Sequence, residues 1–247
     1  FVEKPMATTI ADLKRMVDAA KRSGRKVMVG HILRFNDHFR LVKRLVDEGT
    51  LGRIFYMEGD YVHDLRYQAD PMRYNEELGY NWYLEYESPI IGGGIHPFDL
   101  LRWFANSNAI EVQAYGNHIA FPAMKHDDCM AAIFRFANDC LAKVTATYGC
   151  VSPYAHCNHV SVYGTKGTIN RDKLCLEGFN DQWADLPPLY RGGHPYDPEI
   201  DHFLKCILED TRPLVDAVDG ANSTAPVIVV EEALKRKGPV SIPQFEW

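Results

Sequence analysis

Apolar residues recur at helical spacing soon after the chain begins. Ile10, Leu13, Met16, Val17 and Ala20 fall on one stripe of a helix over Ile10–Ser23, and Gly24 stands where a helix C-terminus usually places its glycine. The run Lys26-Val-Met-Val-Gly30 then predicts a short buried strand, and helix, glycine, strand is the end of a parallel α/β unit. A second stripe, Phe39, Leu41, Val42, Leu45 and Val46, predicts a helix from Asp37 to Glu48, ended by Gly49 and Gly52. Ile54–Val62 has strand character. The Tyr-rich, irregular stretch from there to Ser88 is long enough that a functional role is expected of it. A glycine-rich turn, Gly92-Gly93-Gly94, feeds a helix over His96–Phe104.

Beyond Ile110 the pattern changes to short strand-like runs. Ile110–Asn117, Cys129–Phe136, Cys140–Tyr148, His159–Tyr163 and Gly167–Asn170 follow one another across Asn-, Asp- and Gly-containing turns. No helical pattern intervenes, so the sheet is expected to be mostly antiparallel. Helices return over Pro198–Glu209 and Ala221–Lys237, and Pro239–Pro243 is extended. The fold class is α/β (α+β): a large open, mostly antiparallel sheet with flanking helices, preceded by the last helix and strand of a parallel unit.

Composition narrows the partners. A net charge of −6 without a basic stripe gives no footprint for nucleic acid. No apolar run reaches the ~20 residues that span a bilayer, and no signal peptide opens the chain. The six cysteines are irregularly spaced in a long chain, which favours reduced thiols and a cytoplasmic protein over a disulfide scaffold. Phe1-Val2 reads as the end of a buried strand, so the start of the chain looks like a cut.

Several landmarks occur together: Glu3-Lys4-Pro5; Gly30-His31 through Arg34-Phe35; Gly49-x-x-Gly52; Gly94-Ile-His96-x-x-Asp99-Leu-Leu-Arg-Trp103; and Gly164-Thr-Lys-Gly-Thr168. Glu199-Ile-x-x-Phe203, Pro213, Asp219-Gly220 and Gly238-Pro-Val240 complete the set. In order and spacing the chain resembles the glucose–fructose oxidoreductase/inositol dehydrogenase (Gfo/Idh/MocA) family. The resemblance implies a Rossmann domain, of which residues 1–30 would be the C-terminal remnant, and a substrate-binding and oligomerisation domain over 31–247. It implies an NAD- or NADP-dependent oxidation of a sugar, polyol or related cyclic substrate, and a homodimer or homotetramer formed through the open sheet. No G-x-G-x-x-G turn occurs in the chain, so these residues alone are expected to be inactive. Alternatives are an NAD-dependent glycosidase of the same wider family, or a non-catalytic sugar-binding or dimerisation module.

The resemblance also assigns residues. Lys4 is where the family places the lysine that binds the reacting hydroxyl, and Glu3, Lys4 and Pro5 together are the expected cofactor contacts. His96 can accept or relay a proton near neutral pH, although a helix-start histidine can equally be a cap or a packed residue. Asp99, one turn on, could bind a sugar hydroxyl, orient His96 or answer the helix dipole. His63 and Tyr83 are candidate substrate contacts. Arg34 could bind an acidic group or form a structural ion pair. An aspartate that the family often carries four residues before the histidine is here Gly92; Asp60, His63 and Asp64 are the nearest replacements along the chain. Cys150 and His156-Cys157-Asn158-His159 lack metal-ligand spacing, so no metal is expected.

Overall fold

The first helical stripe forms α1 (Ile10–Ser23), between β1 (Val2–Glu3) and β2 (Val29–Gly30). The Thr9 side chain accepts from the Asp12 amide at its start, and Gly24 closes it at φ 60°, where a side chain would be strained. β1 and β2 pair in parallel. The expected strand from Lys26 is shorter than its apolar run, because Val29 and Gly30 alone pair with β1. The computed structural model describes residues 1–66, 82–85, 87–151, 156–179, 182–188 and 194–247, with backbone alone at 82, 83 and 156–158.

A 3-10 turn, Ile32–Phe35, leads into α2 (Asp37–Asp47) and β3 (Ile54–Val62). Then come α3 (Trp82–Glu85), α4 (Pro89–Gly92) and α5 (Ile95–Ala105). Strands β4 (Ala109–Asn117), β5 (Cys129–Phe136), β6 (Leu141–Thr147), β7 (His156–Gly164), β8 (Gly167–Asn170), β9 (Lys173–Leu176) and β10 (Ala184–Asp185) follow. The chain continues through α6 (Tyr196–Leu208), α7 (Ala217–Arg236) and β11 (Val240–Ser241).

β3 to β11 form one open sheet in the order β10-β9-β8-β7-β3-β6-β5-β4-β11. The β3–β6 pairing is parallel and every other pairing is antiparallel, as the helix-free spacing implies. Along β5, Met130, Ala132, Phe134 and Phe136 are buried while Ala131, Ile133 and Arg135 are exposed, the period of two that covers one face. α5 lies on the covered face, with Phe98 packed 4.6 Å from Phe134 between ring centroids. The second core joins Leu13, Val17 and Ala20 of α1 to Ala217, Ala221 and Ala225 of α7. Gly220 lets α7 approach β2, since a Cβ there would run into the Val29 side chain. Residues 1–30 are thereby fixed against the helix layer of the large sheet.

Candidate active site

Lys4 follows β1, and its Nζ donates a 2.7 Å hydrogen bond to the carbonyl of Gly92 at the end of α4. Burial lowers the Lys4 pKa, and the negative charges of Glu87 and Glu3 offset part of that effect. The glycine triplet is not the open turn its composition suggests. Gly92 ends α4, and Gly93 and Gly94 keep right-handed backbone at φ −105° and −61°. These positions need space rather than conformational freedom. A Cβ on Gly92 would stand 2.5 Å from the Tyr148 hydroxyl and 2.6 Å from Glu87 Oε2, and one on Gly93 would enter the Tyr61 ring.

His96 is the second residue of α5. The helix has no side-chain cap at Gly94, and His96 instead lays its ring on Tyr61, with centroids 5.9 Å apart and planes 20° from parallel. Its Nδ1 is buried without a hydrogen-bond partner. Burial first, and then the charge of Lys4, hold the His96 pKa well below 6.5, so the ring is neutral at neutral pH. On the other side of Tyr61, His63 Nδ1 lies 3.3 Å from the phenol oxygen. Burial lowers the His63 pKa, against the opposing charge of Asp64. Tyr61 and His63 are two apart on and just beyond β3, hence on the same face.

Glu3, Lys4, Pro5, Thr8, Met16 and Glu87 are among the residues lining a groove of about 790 Å³ beside this cluster. A groove lined by Pro5, Ala7, Met16 and Ala19 together with the Lys4 amine suits the flat nicotinamide end of a dinucleotide. The phosphate-binding glycine turn is not among these 247 residues.

Arg34 and Asp99 meet each other instead of the groove. Arg34 donates to both Asp99 oxygens at 2.9 and 2.7 Å and to Asp219 at 2.7 Å; Ser223 donates to Asp99 at 2.6 Å, and Arg102 to Asp219 at 2.7 Å. Burial is the largest influence on Asp99 and would raise its pKa, but Arg34, His31 and the hydrogen bond from Ser223 together outweigh it and hold the carboxyl well below its usual range. Burial would likewise lower the Arg34 pKa, and Asp99 and Asp219 reverse that. With its bonds satisfied inside the protein, this pair joins the 3-10 turn to α5 and α7. Tyr83 lies outside the described side chains.

Asp60 and Asp64, the acids closest in sequence, are also engaged. Asp60 faces Lys143 at 3.4 Å on the open side of the sheet, and Asp64 accepts from Arg66 at 2.8 and 2.7 Å. The carboxylate beside Lys4 belongs to Glu87, which the sequence pattern does not single out. Tyr61 is also absent from the sequence-level candidates, although its spacing from His63 was the available signal. Among the described residues, no His, Cys, Asp and Glu side chains cluster as metal ligands, and no helix is long and apolar enough to cross a membrane. Cys129, Cys140, Cys150, Cys175 and Cys206 are unpaired.

Comparison with known proteins adds a lineage. Residues 39–170 match the GFO/IDH/MocA C-terminal domain, and residues 1–31 match the oxidoreductase family with an NAD-binding Rossmann fold. scyllo-Inositol 2-dehydrogenase (NAD(+)) of Bacillus subtilis (strain 168) is 24% identical over 250 residues, which cover 98% of this chain and 70% of that enzyme. Levoglucosan dehydrogenase of Pseudarthrobacter phenanthrenivorans is 28% identical over 232 residues, 78% of this chain and 56% of that enzyme. Among solved structures, aldose-aldose oxidoreductase from Caulobacter crescentus, complexed with glycerol, superposes with a TM-score of 0.79 and 25% identity, covering 97% of this chain and 70% of that one.

Proposed function

The chain belongs to the GFO/IDH/MocA oxidoreductase family, and from that premise we propose that the Lys4–His96 pocket binds a hydroxyl of a sugar, polyol or related cyclic substrate and takes up its proton during oxidation. One observation carries the proposal: an amine whose pKa is lowered by burial stands near a neutral imidazole with an unpartnered, buried Nδ1. Buried polar atoms are rarely left unpaired without a use for them. Relatives named for inositol, levoglucosan and aldose support the substrate class.

Lys4 in its neutral form, which burial favours, takes the hydroxyl proton at Nζ, and the resulting ammonium remains a donor to the new carbonyl oxygen. His96 Nδ1 holds a hydroxyl of the substrate, and the Tyr61 ring fixes the imidazole plane. Glu3, Lys4 and Pro5 hold the nicotinamide end of NAD or NADP. The bound dinucleotide supplies the hydride acceptor.

The same proposal assigns residues 1–30 to a Rossmann domain and 31–247 to the substrate domain. It also makes the open sheet face, where Tyr115 is 74%, Ile133 50% and Leu141 43% exposed, the contact between copies in a homodimer or homotetramer. Light scattering on the complete protein would then give a dimer or tetramer, and a strict monomer would refute that part. The activity is tested by supplying NAD or NADP with a panel of cyclic polyols and sugars and following nicotinamide absorbance. Oxidation of at least one member is expected; no turnover with any of them, in either direction, counts against the proposal.

A further inference from the structure

Lys4 Nζ rests 2.7 Å from the carbonyl oxygen of residue 92, so the amine and that residue are direct neighbours. The residue is glycine, and the space its Cβ would take is filled by Glu87: Oε2 is 2.6 Å from that point. Glu87 is 4% exposed and reaches this place from the segment just before α4. It lines the same groove as Lys4. A buried carboxylate needs a charged or hydrogen-bonding environment, and Lys4, once protonated, supplies a charge of the opposite sign.

We propose that Glu87 is the positioning carboxylate of Lys4, holding the ammonium that forms when the amine takes a proton, and that it occupies the place where an acid at position 92 would otherwise act. The inference rests on Lys4 as the proton acceptor of the preceding section and adds the residue that sets its charge. The groups around Lys4 are Glu3 at the end of β1, Asp12 and Arg15 on α1, Glu87 before α4 and His96 on α5. Glu87 and Glu3 favour the ammonium, and burial opposes it. Glu3 is exposed, where solvent weakens its field; Glu87 is buried, where its field is strong.

The geometry makes two acids, at 87 and at 92, mutually exclusive. Gly92→Asp alone would press a carboxylate against Glu87 Oε2 and the Tyr148 hydroxyl. Glu87→Ala frees the part of that space held by Oε2, and the Tyr148 hydroxyl, 2.5 Å from the new Cβ, must still shift.

The test is a pH titration of the Lys4 ε-methylene resonance in the full chain with 13C-labelled lysine, the signal being assigned by its loss in Lys4→Arg. Glu87→Gln is expected to lower the Lys4 midpoint by roughly 1 pH unit or more. Gly92→Asp combined with Glu87→Ala is expected to bring it back toward the wild-type value. A midpoint unchanged in folded Glu87→Gln overturns the assignment. Should Glu87→Gln not fold, Glu87→Ala takes its place, and a wild-type midpoint in that folded variant overturns the assignment too. In the complete enzyme, Glu87→Gln moves the acidic limb of kcat/KM to lower pH, a change that a packing role would not produce. The titration needs neither substrate nor dinucleotide. A protein that oxidises no polyol yet shows these shifts loses the dehydrogenase proposal and keeps Glu87.

Discussion

Helix α5 carries a histidine and an aspartate one turn apart, and they enter two buried charged clusters of opposite character. Asp99 joins Arg34, Asp219, Arg102 and Ser223, where the Asp99 carboxylate has Arg34 and Ser223 as bonded partners and charges balance pairwise. His96 enters a cluster with Lys4, Glu87 and Tyr61, where a ring nitrogen has no bonded partner and the amine is held by a lone carbonyl among the described contacts. Burial is common to both, so burial does not separate scaffold from chemistry. Satisfaction does. A fully paired cluster resists any change of charge state, whereas an incompletely paired one can exchange a proton at modest cost.

The sharpest way to break the comparison is to remove one charge from each cluster. Asp99→Ala leaves Arg34 buried beside half of its partners, and stability should fall by about 3–5 kcal/mol. Glu87→Gln keeps the shape of the buried side chain and leaves Lys4 able to shed its proton, so stability should change by only about 1–1.5 kcal/mol. Denaturant midpoints with unchanged slopes measure both; equal losses would erase the distinction.

His31 lies at the seam. It is 1% exposed, its Nδ1 is 3.5 Å from Asp99 Oδ1, and neither ring nitrogen makes a hydrogen bond. Burial lowers its pKa from 6.5 to about 4, Asp99 opposing. The folded protein therefore keeps the neutral ring while the unfolded chain takes up a proton. The resulting stability is complete above pH 6.5 and is lost as pH falls toward 4, amounting to about 3 kcal/mol. In His31→Leu, the stability profile should be flatter over that window; an unchanged slope would mean that His31 is not held neutral.

A smaller effect is expected from Gly93→Ala. Its methyl group would meet the rigid Tyr61 ring, and overpacking of this kind costs roughly 1–3 kcal/mol. Because Tyr61 supports His96, activity should fall as well. A variant as stable and as active as wild type would show that the ring can move aside.

Regular elements were legible where a period ran long enough. The stripe of α1, the alternation of β5 and the run of β3 all fold over the residues their patterns mark. Short edge pieces were less so: β9 and β10 are held by pairing with neighbours, which local composition does not encode, whereas β11 falls within the extended Pro239–Pro243 run. α4 was hidden in Pro-Ile-Ile-Gly, because glycine suggests a turn when backbone freedom is considered and the actual demand is space. Lys4 and His96, the proposed pair, could be picked out from ordered landmarks along the chain. Glu87 could not, since its role comes from a contact between the chain start and α4, residues 88 apart at the Lys4–Gly92 hydrogen bond. Arg34 and Asp99 show the converse: both residue types suit a substrate site, and the fold spends them on each other.

The central claim, that Lys4 takes the substrate proton, is tested most directly by the turnover of Lys4→Met in the complete protein, once a polyol or sugar substrate has been found. The account predicts that kcat falls by roughly 10²–10⁴-fold while the variant stays folded and still binds the dinucleotide. Wild-type kcat in a folded, nucleotide-binding Lys4→Met protein would contradict it.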